Sequence, residues 1–111
     1  MAYGVVHLPF YATGFRGDDL EAALAQLAPI SQRYGATRYD VYRSRDDRYK
    51  FLLEIEFEEK SQWDAFYYGD EFTGMRAACS SWFAVPLLYW WNDLVVSGKL
   101  RRDAELADEL A

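Results

Sequence analysis

The single histidine, His7, lies in the run YGVVHLPFY (residues 3–11). Two carboxylates fall in runs of the same β-branched and aromatic character: Asp40 in ATRYDVYRS and Glu54 in YKFLLEIEFE. Histidine is the side chain whose ordinary titration lies nearest neutrality, and a carboxylate beside it can orient the ring or stabilise its cation. His7, Glu54 and Asp40 are therefore the catalytic candidates, provided that the fold gathers them on one face. The competing reading is a histidine merely hydrogen-bonded in an interface, with Arg38, Asp40, Glu54 and Glu56 satisfying one another as partly buried ions usually do. Arg38 is equally suited to hold a polar group of a substrate. Tyr3, Tyr11, Tyr42, Trp63, Tyr67 and Trp90 offer flat walls for a ring-shaped ligand, and Asn92 adds a neutral hydrogen-bonding group.

Other chemistries find little support. One histidine and one cysteine build neither a multi-histidine metal site nor an internal disulfide. No metal or other cofactor is expected. Cys79 shares a helical stripe with Met75, the setting of a buried and inert thiol. Gly14 and Gly17 flank only Phe15 and Arg16, which is no phosphate-cradling loop, and Ser80 and Ser81 sit in no nucleophile elbow. The formal net charge of −6 argues against nucleic acid or an anionic membrane as partner. No apolar run approaches the roughly 18 residues of a membrane span, and MAYGVVHLPFYA lacks the basic start of a secretion signal, so a cytoplasmic protein is expected.

The candidates need elements to place them. YGVVHLPFY reads as a strand. A helix should follow at DDLEAALAQLA, with Asp18 and Glu21 at capping-box spacing and Leu20, Ala23, Leu24 and Leu27 on one stripe. Pro29 should kink or end it, and Gly35 supplies a stop. Residues 36–44 and 49–58 form a hairpin about the turn RDDR. SQWD (61–64) opens a second helix that Gly69 interrupts, and DEFTGMRAACS restarts it. The run VPLLYWWNDLVV forms the last strand, its Pro86 favouring an edge. One domain over residues 1–98 is expected, followed by a tail over 99–111 that is a short helix or loosely ordered.

The order β-α-β-β-α-β is the ferredoxin-like pattern of the α+β class, in which both helices cover one face of a four-stranded antiparallel sheet. Strand parity says what the other face carries. Phe51, Leu53, Ile55 and Phe57 suit the helix side, as do Val6, Leu8 and Phe10, while His7, Asp40, Tyr42, Glu54 and Glu56 oppose them. That second face mixes rings with charges, and the simplest cover for it is a second copy of the chain. The tandem Trp90 and Trp91 point the same way, because one ring must face each side. Trp90 with Asn92 is placed on the second face.

The element order, the broken aromatic helix WDAFYYGDEF and the last strand VPLLYWWNDLVVSG resemble the dimeric α/β-barrel superfamily. That group includes antibiotic-biosynthesis monooxygenases, aromatic polyketide cyclases, muconolactone isomerase-like enzymes, stress-responsive barrel proteins and haem-handling relatives. The resemblance runs from residue 3 to about residue 97. It implies a homodimer binding a hydrophobic aromatic small molecule, with a cofactor-independent monooxygenase, cyclase or isomerase activity in polyketide-like secondary metabolism. A non-catalytic binding or stress-related barrel is the alternative, and a haem-binding or haem-degrading protein using His7 is a third.

Overall fold

The computed structural model describes residues 3–100. Its elements run β1 (Gly4–Tyr11), α1 (Gly17–Leu27), a 3-10 segment (Ala28–Tyr34), β2 (Arg38–Arg43), β3 (Lys50–Phe57), α2 (Lys60–Tyr67), α3 (Asp70–Ala78) and β4 (Trp90–Asp93). The four strands form one antiparallel sheet in the order β2-β3-β1-β4, the ferredoxin-like arrangement expected from the sequence. Among the described residues, no helix is long and apolar enough to cross a membrane.

Alternation builds the core. Val6, Leu8 and Phe10 of β1 and Phe51, Leu53, Ile55 and Phe57 of β3 all point to the helix side and are buried. Leu20, Leu24 and Leu27 of α1, Trp63 and Phe66 of α2 and Phe72 of α3 close over them. Trp91 joins this side, packed on the core, while Trp90 projects to the opposite face. The Trp91 ring occupies the space where a side chain on Gly4 would stand, so the glycine is needed for close approach rather than for backbone freedom.

The structure corrects several boundaries. Helix α1 begins at Gly17 behind Arg16 with no side-chain cap. Asp18 and Glu21 do not form a capping box; both accept from Arg43 Nη1, at 2.8 and 3.1 Å, and so tie the start of α1 to β2. Helix α2 starts earlier than SQWD, at a capping box of Glu59 and Gln62, because Gln62 reaches back to the Glu59 N–H at 3.0 Å. Of the two outcomes expected at Pro29 the structure shows the ending: α1 stops at Leu27 and a 3-10 segment carries the chain on to Gly35, which takes a left-handed φ of 103°.

The last strand is four residues long instead of spanning residues 85–96. Ala12 donates to Tyr49, one pair beyond the β1–β3 ladder, so the even residues of β1 bond toward β3 and the odd ones toward β4. Pro9 therefore faces the β4 side with no N–H to give, and the β1–β4 ladder stops at His7 and Trp90. Pairing resumes only at the Ala12–Phe83 bridge. The intervening Val85–Tyr89 stretch stays irregular, with a cis Val85–Pro86 bond. Of the expected tail, residues 101–111 lie outside the described part of the chain.

Substituting Gly4→Ala should drive a methyl group into the Trp91 ring and destabilise the fold by about 1–3 kcal/mol, the usual range for overpacking. A lowered urea midpoint with an unchanged slope is the expected result; an unchanged midpoint would show that Trp91 yields freely.

Candidate functional site

The strand registers place four candidates in one row across the uncovered face. Asp40 stands opposite Glu54, Glu54 opposite His7, and His7 opposite Trp90. His7 Nε2 lies 3.6 Å from Glu54 Oε2, and the His7 and Trp90 rings meet edge to face at 5.6 Å. Arg38 donates to Glu54 Oε1 at 2.9 Å and approaches Asp40 at 3.4 Å. The result is a chain from Asp40 through Arg38 and Glu54 to His7 in which each ion faces an opposite charge or the imidazole.

The adjoining rows are quieter. Glu56 accepts from the Thr37 hydroxyl at 2.8 Å. Asn92 donates its amide Nδ2 to the Val5 carbonyl at 2.9 Å and so braces β4 against β1. Tyr42 is half exposed beside this cluster; partial burial raises its phenol pKa, helped by the negative charge of Glu54 and Asp40. Tyr3 and Tyr11 sit at opposite ends of β1. The Tyr11 hydroxyl bonds Asp47 at 3.0 Å, which raises its pKa and holds it at the hairpin turn, away from His7.

Trp63 and Tyr67 are not on this face at all. Both lie on α2, on the helix side of the sheet, Trp63 wholly buried. They belong to a second cluster that gathers Phe72 and Arg76 of α3 and Tyr89 from the irregular stretch. Tyr67 stacks on Trp63 at 5.1 Å and 27°, and the Arg76 guanidinium lies 3.9 Å over the other ring system of that stack, Tyr67. Tyr89 meets Trp63 at 5.1 Å and Tyr67 at 5.2 Å, while Lys60 Nζ sits 5.7 Å over Tyr89. Two buried donors here, Trp63 Nε1 and Arg76 Nη1, have no hydrogen-bond partner among the described residues. A buried donor without an acceptor costs about 1–3 kcal/mol, so it calls for an explanation.

Phe72, Arg76 and Tyr89 were missed by the sequence reading. Phe72 and Arg76 stand four apart on one helix, and that spacing was the available signal. Nothing local ties Tyr89 to Trp63, 26 positions earlier in the chain.

A separate groove of about 500 Å³ runs between α1 and α3, floored by Ala22, Ala23, Gly74, Met75 and Ala78. It includes none of the sequence candidates. Cys79 lines it but is only 7% exposed, and burial pushes its thiol pKa up, with Asp19 adding to the effect. Among the described residues, no three His, Cys, Asp or Glu side chains cluster as metal ligands would.

No protein-family model and no curated protein matches the chain. Solved structures do. A candidate antibiotic biosynthesis monooxygenase from Nitrosomonas europaea superposes with a TM-score of 0.76 at 19% identity, covering 87% of this chain and 95% of its own. One from Bordetella bronchiseptica gives 0.75 at 20%, covering 86% and 100%. An antibiotic biosynthesis monooxygenase gives 0.72 at 14%, covering 85% and 99%. At these identities the likeness establishes the fold that the chain shares with such proteins, and chemistry must be argued from the side chains.

Native Cys79 should react with a disulfide reagent at pH 8 at least about 100-fold more slowly than in the unfolded chain, since burial limits both access and thiolate formation. Equal rates would place the thiol at the surface.

Proposed function

We propose that this protein is a small-molecule-binding homodimer and a cofactor-independent enzyme of the monooxygenase type, acting on a hydrophobic aromatic substrate that carries a phenolic or enolic oxygen. The reading rests on one observation, the pair of buried donors without acceptors, Trp63 Nε1 and Arg76 Nη1, set among the rings of Tyr67, Phe72 and Tyr89. A flat substrate inserted at Tyr89 gains ring contacts and offers its oxygen to donors that no acceptor among the described residues engages. Donors fixed in advance stabilise the oxyanion as it forms, the effect that usually contributes most to such catalysis. The deprotonated substrate is itself electron-rich at the ring carbon. Dioxygen then oxidises a ring CH2 of the keto tautomer to C=O, one oxygen atom staying on carbon and the other leaving as water with the two hydrogens. In this reading the open face, whose charges satisfy one another, is the seam between two copies.

A second reading keeps the chemistry on the open face, and the 3.6 Å approach of His7 to Glu54 beside Trp90 favours it. There the seam encloses a cavity, and His7, oriented by Glu54 and with Asp40 behind Arg38, moves the proton.

Anthrone, oxidised to anthraquinone under air, separates the two. Trp63→Phe and Arg76→Leu should each lower kcat/KM by about 10²–10³, the loss typical of one oxyanion donor, with His7→Ala within a few-fold of the parent. The reverse pattern would move the site to the open face. Quenching of tryptophan fluorescence by anthrone with no oxygen uptake would make the protein a binder without turnover.

A further inference from the structure

We propose that the apolar groove between α1 and α3 is the seat of the chain's own segment 101–111, docked as an amphipathic helix that runs antiparallel to α1 and parallel to α3. Those residues lie outside the described part of the chain. Neither the groove nor the segment belongs to the aromatic cluster or to the open face, so the inference goes beyond both readings of the chemistry.

The groove itself supplies the first support. It measures about 500 Å³ and carries Ala22, Ala23 and Leu27 on its α1 wall and Gly74, Met75 and Ala78 on its α3 wall. Gly74 stands in the middle of α3 and is exposed, and a Cβ placed there would meet no atom within 4 Å. A glycine inside a helix lowers the folding equilibrium constant about fivefold relative to alanine, and no neighbour among the described residues requires one here. A helix laid along the groove at close approach does require it.

The segment supplies the complement. Leu100, Ala104, Ala107 and Ala111 recur at helical spacing, with Leu106 and Leu110 on the flank of the same stripe. The alanines suit close approach to Gly74, and the leucines fill the depth beside it. Its charges run Arg101 and Arg102 first and Asp108 and Glu109 last, an order opposed to the dipole of a lone helix. Laid antiparallel to α1, the same order becomes favourable. The two arginines then meet the C-terminal end of α1, whose last turn has no basic residue, together with Asp70 and Glu71 in the first turn of α3; Arg33 nearby opposes them with one charge. Asp108 and Glu109 reach the N-terminal end of α1, where Arg16 lies over Trp82 and where Asp18 and Asp19 are already engaged by Arg43 and Arg16.

Connectivity permits the path. Arg38, Glu56, Val5 and Asn92 form one row across the sheet, so the chain leaves β4 at the end of the sheet where the 3-10 segment enters β2 and α1 has just ended. The Tyr34 hydroxyl bonds Glu71 at 3.0 Å, which puts the first turn of α3 at that same end. Tyr89 and Phe72 both pack on Tyr67, which sets α2 and α3 on the β4 side, while Arg43 of β2 holds the start of α1. The path from β4 therefore crosses one helix, about 10–12 Å wide, and residues 94–99 span up to about 20 Å. Seated there, the segment clamps α3, which carries Phe72 and Arg76, to α1.

Paramagnetic broadening of amide signals in the full chain tests the seat. With a nitroxide on Glu109→Cys in a Cys79→Ala background, the amides of Asp19, Ala22 and Ala78 should broaden and those of Val41 and Leu52 should not. Groove amides at full intensity overturn the proposal. Equal broadening of the same amides when only a second, isotopically silent copy carries the nitroxide overturns it too, since the segment then docks on a neighbour. Urea titrations of four chains test the close approach. Gly74→Ala should gain nothing in the full chain, where its methyl meets the segment, and should raise the folding equilibrium constant about fivefold in Leu106→Asp/Leu110→Asp, where the segment cannot seat. A fivefold gain in both backgrounds overturns the proposal.

Discussion

The pairing of β1 with β3 fixes almost everything else. With Leu8 opposite Leu53 and His7 opposite Glu54, the apolar set of each strand faces the helices and the polar set faces away. A slip of one residue would bury His7 and Glu54 beneath α1 and expose Leu8 and Leu53, an inversion that the burial of the large side chains on this sheet makes prohibitive. The edge strands inherit their levels from this central pair, so the row from Asp40 to Trp90 is a product of core packing before it is a product of any chemistry.

The two faces then solve different problems. On the open face, long charged side chains lie over a sheet that is only partly covered, and they neutralise one another: Arg38 spans two carboxylates and Glu54 meets both Arg38 and His7. Such pairs stand partly in solvent and contribute little net stability, but they hold one another in place. On the helix side, aromatic rings fill the space between α2, α3 and the irregular stretch before β4, and edge-to-face contacts set their angles. Aromatic faces are weak hydrogen-bond acceptors, and an indole and a guanidinium placed among them leave donors without a partner among the described residues.

The fold was largely legible in the sequence because period-two alternation survives in β1 and β3 and marks both faces. The helix stripe of Leu20, Leu24 and Leu27 was legible for the same reason. Helix starts were less so, because Asp18 and Glu21 carry the spacing of a cap yet find a stronger partner in Arg43, a residue of a distant strand. The extent of β4 was hidden in Pro9, whose effect depends on which side of β1 its nitrogen faces. Of the site, parity alone sufficed to group His7, Glu54, Asp40 and Trp90. It could not say that Trp63 and Tyr67 lie across the sheet from them, since a helical residue has no strand parity and its neighbours come from chain closure.

Pro9 has one more consequence, which concerns time. By ending the ladder at Trp90 it leaves Tyr89 at the border of a segment with no strand partner in its own chain. A ring carried by a laddered strand moves away only when backbone hydrogen bonds break, an event of local unfolding on the microsecond-to-second scale. A ring at the end of a loop moves with the loop, in roughly nanoseconds to microseconds. One imino acid on β1 thus leaves the Tyr89 ring held by its packing on Trp63 and Tyr67, with no strand ladder of its own chain behind it.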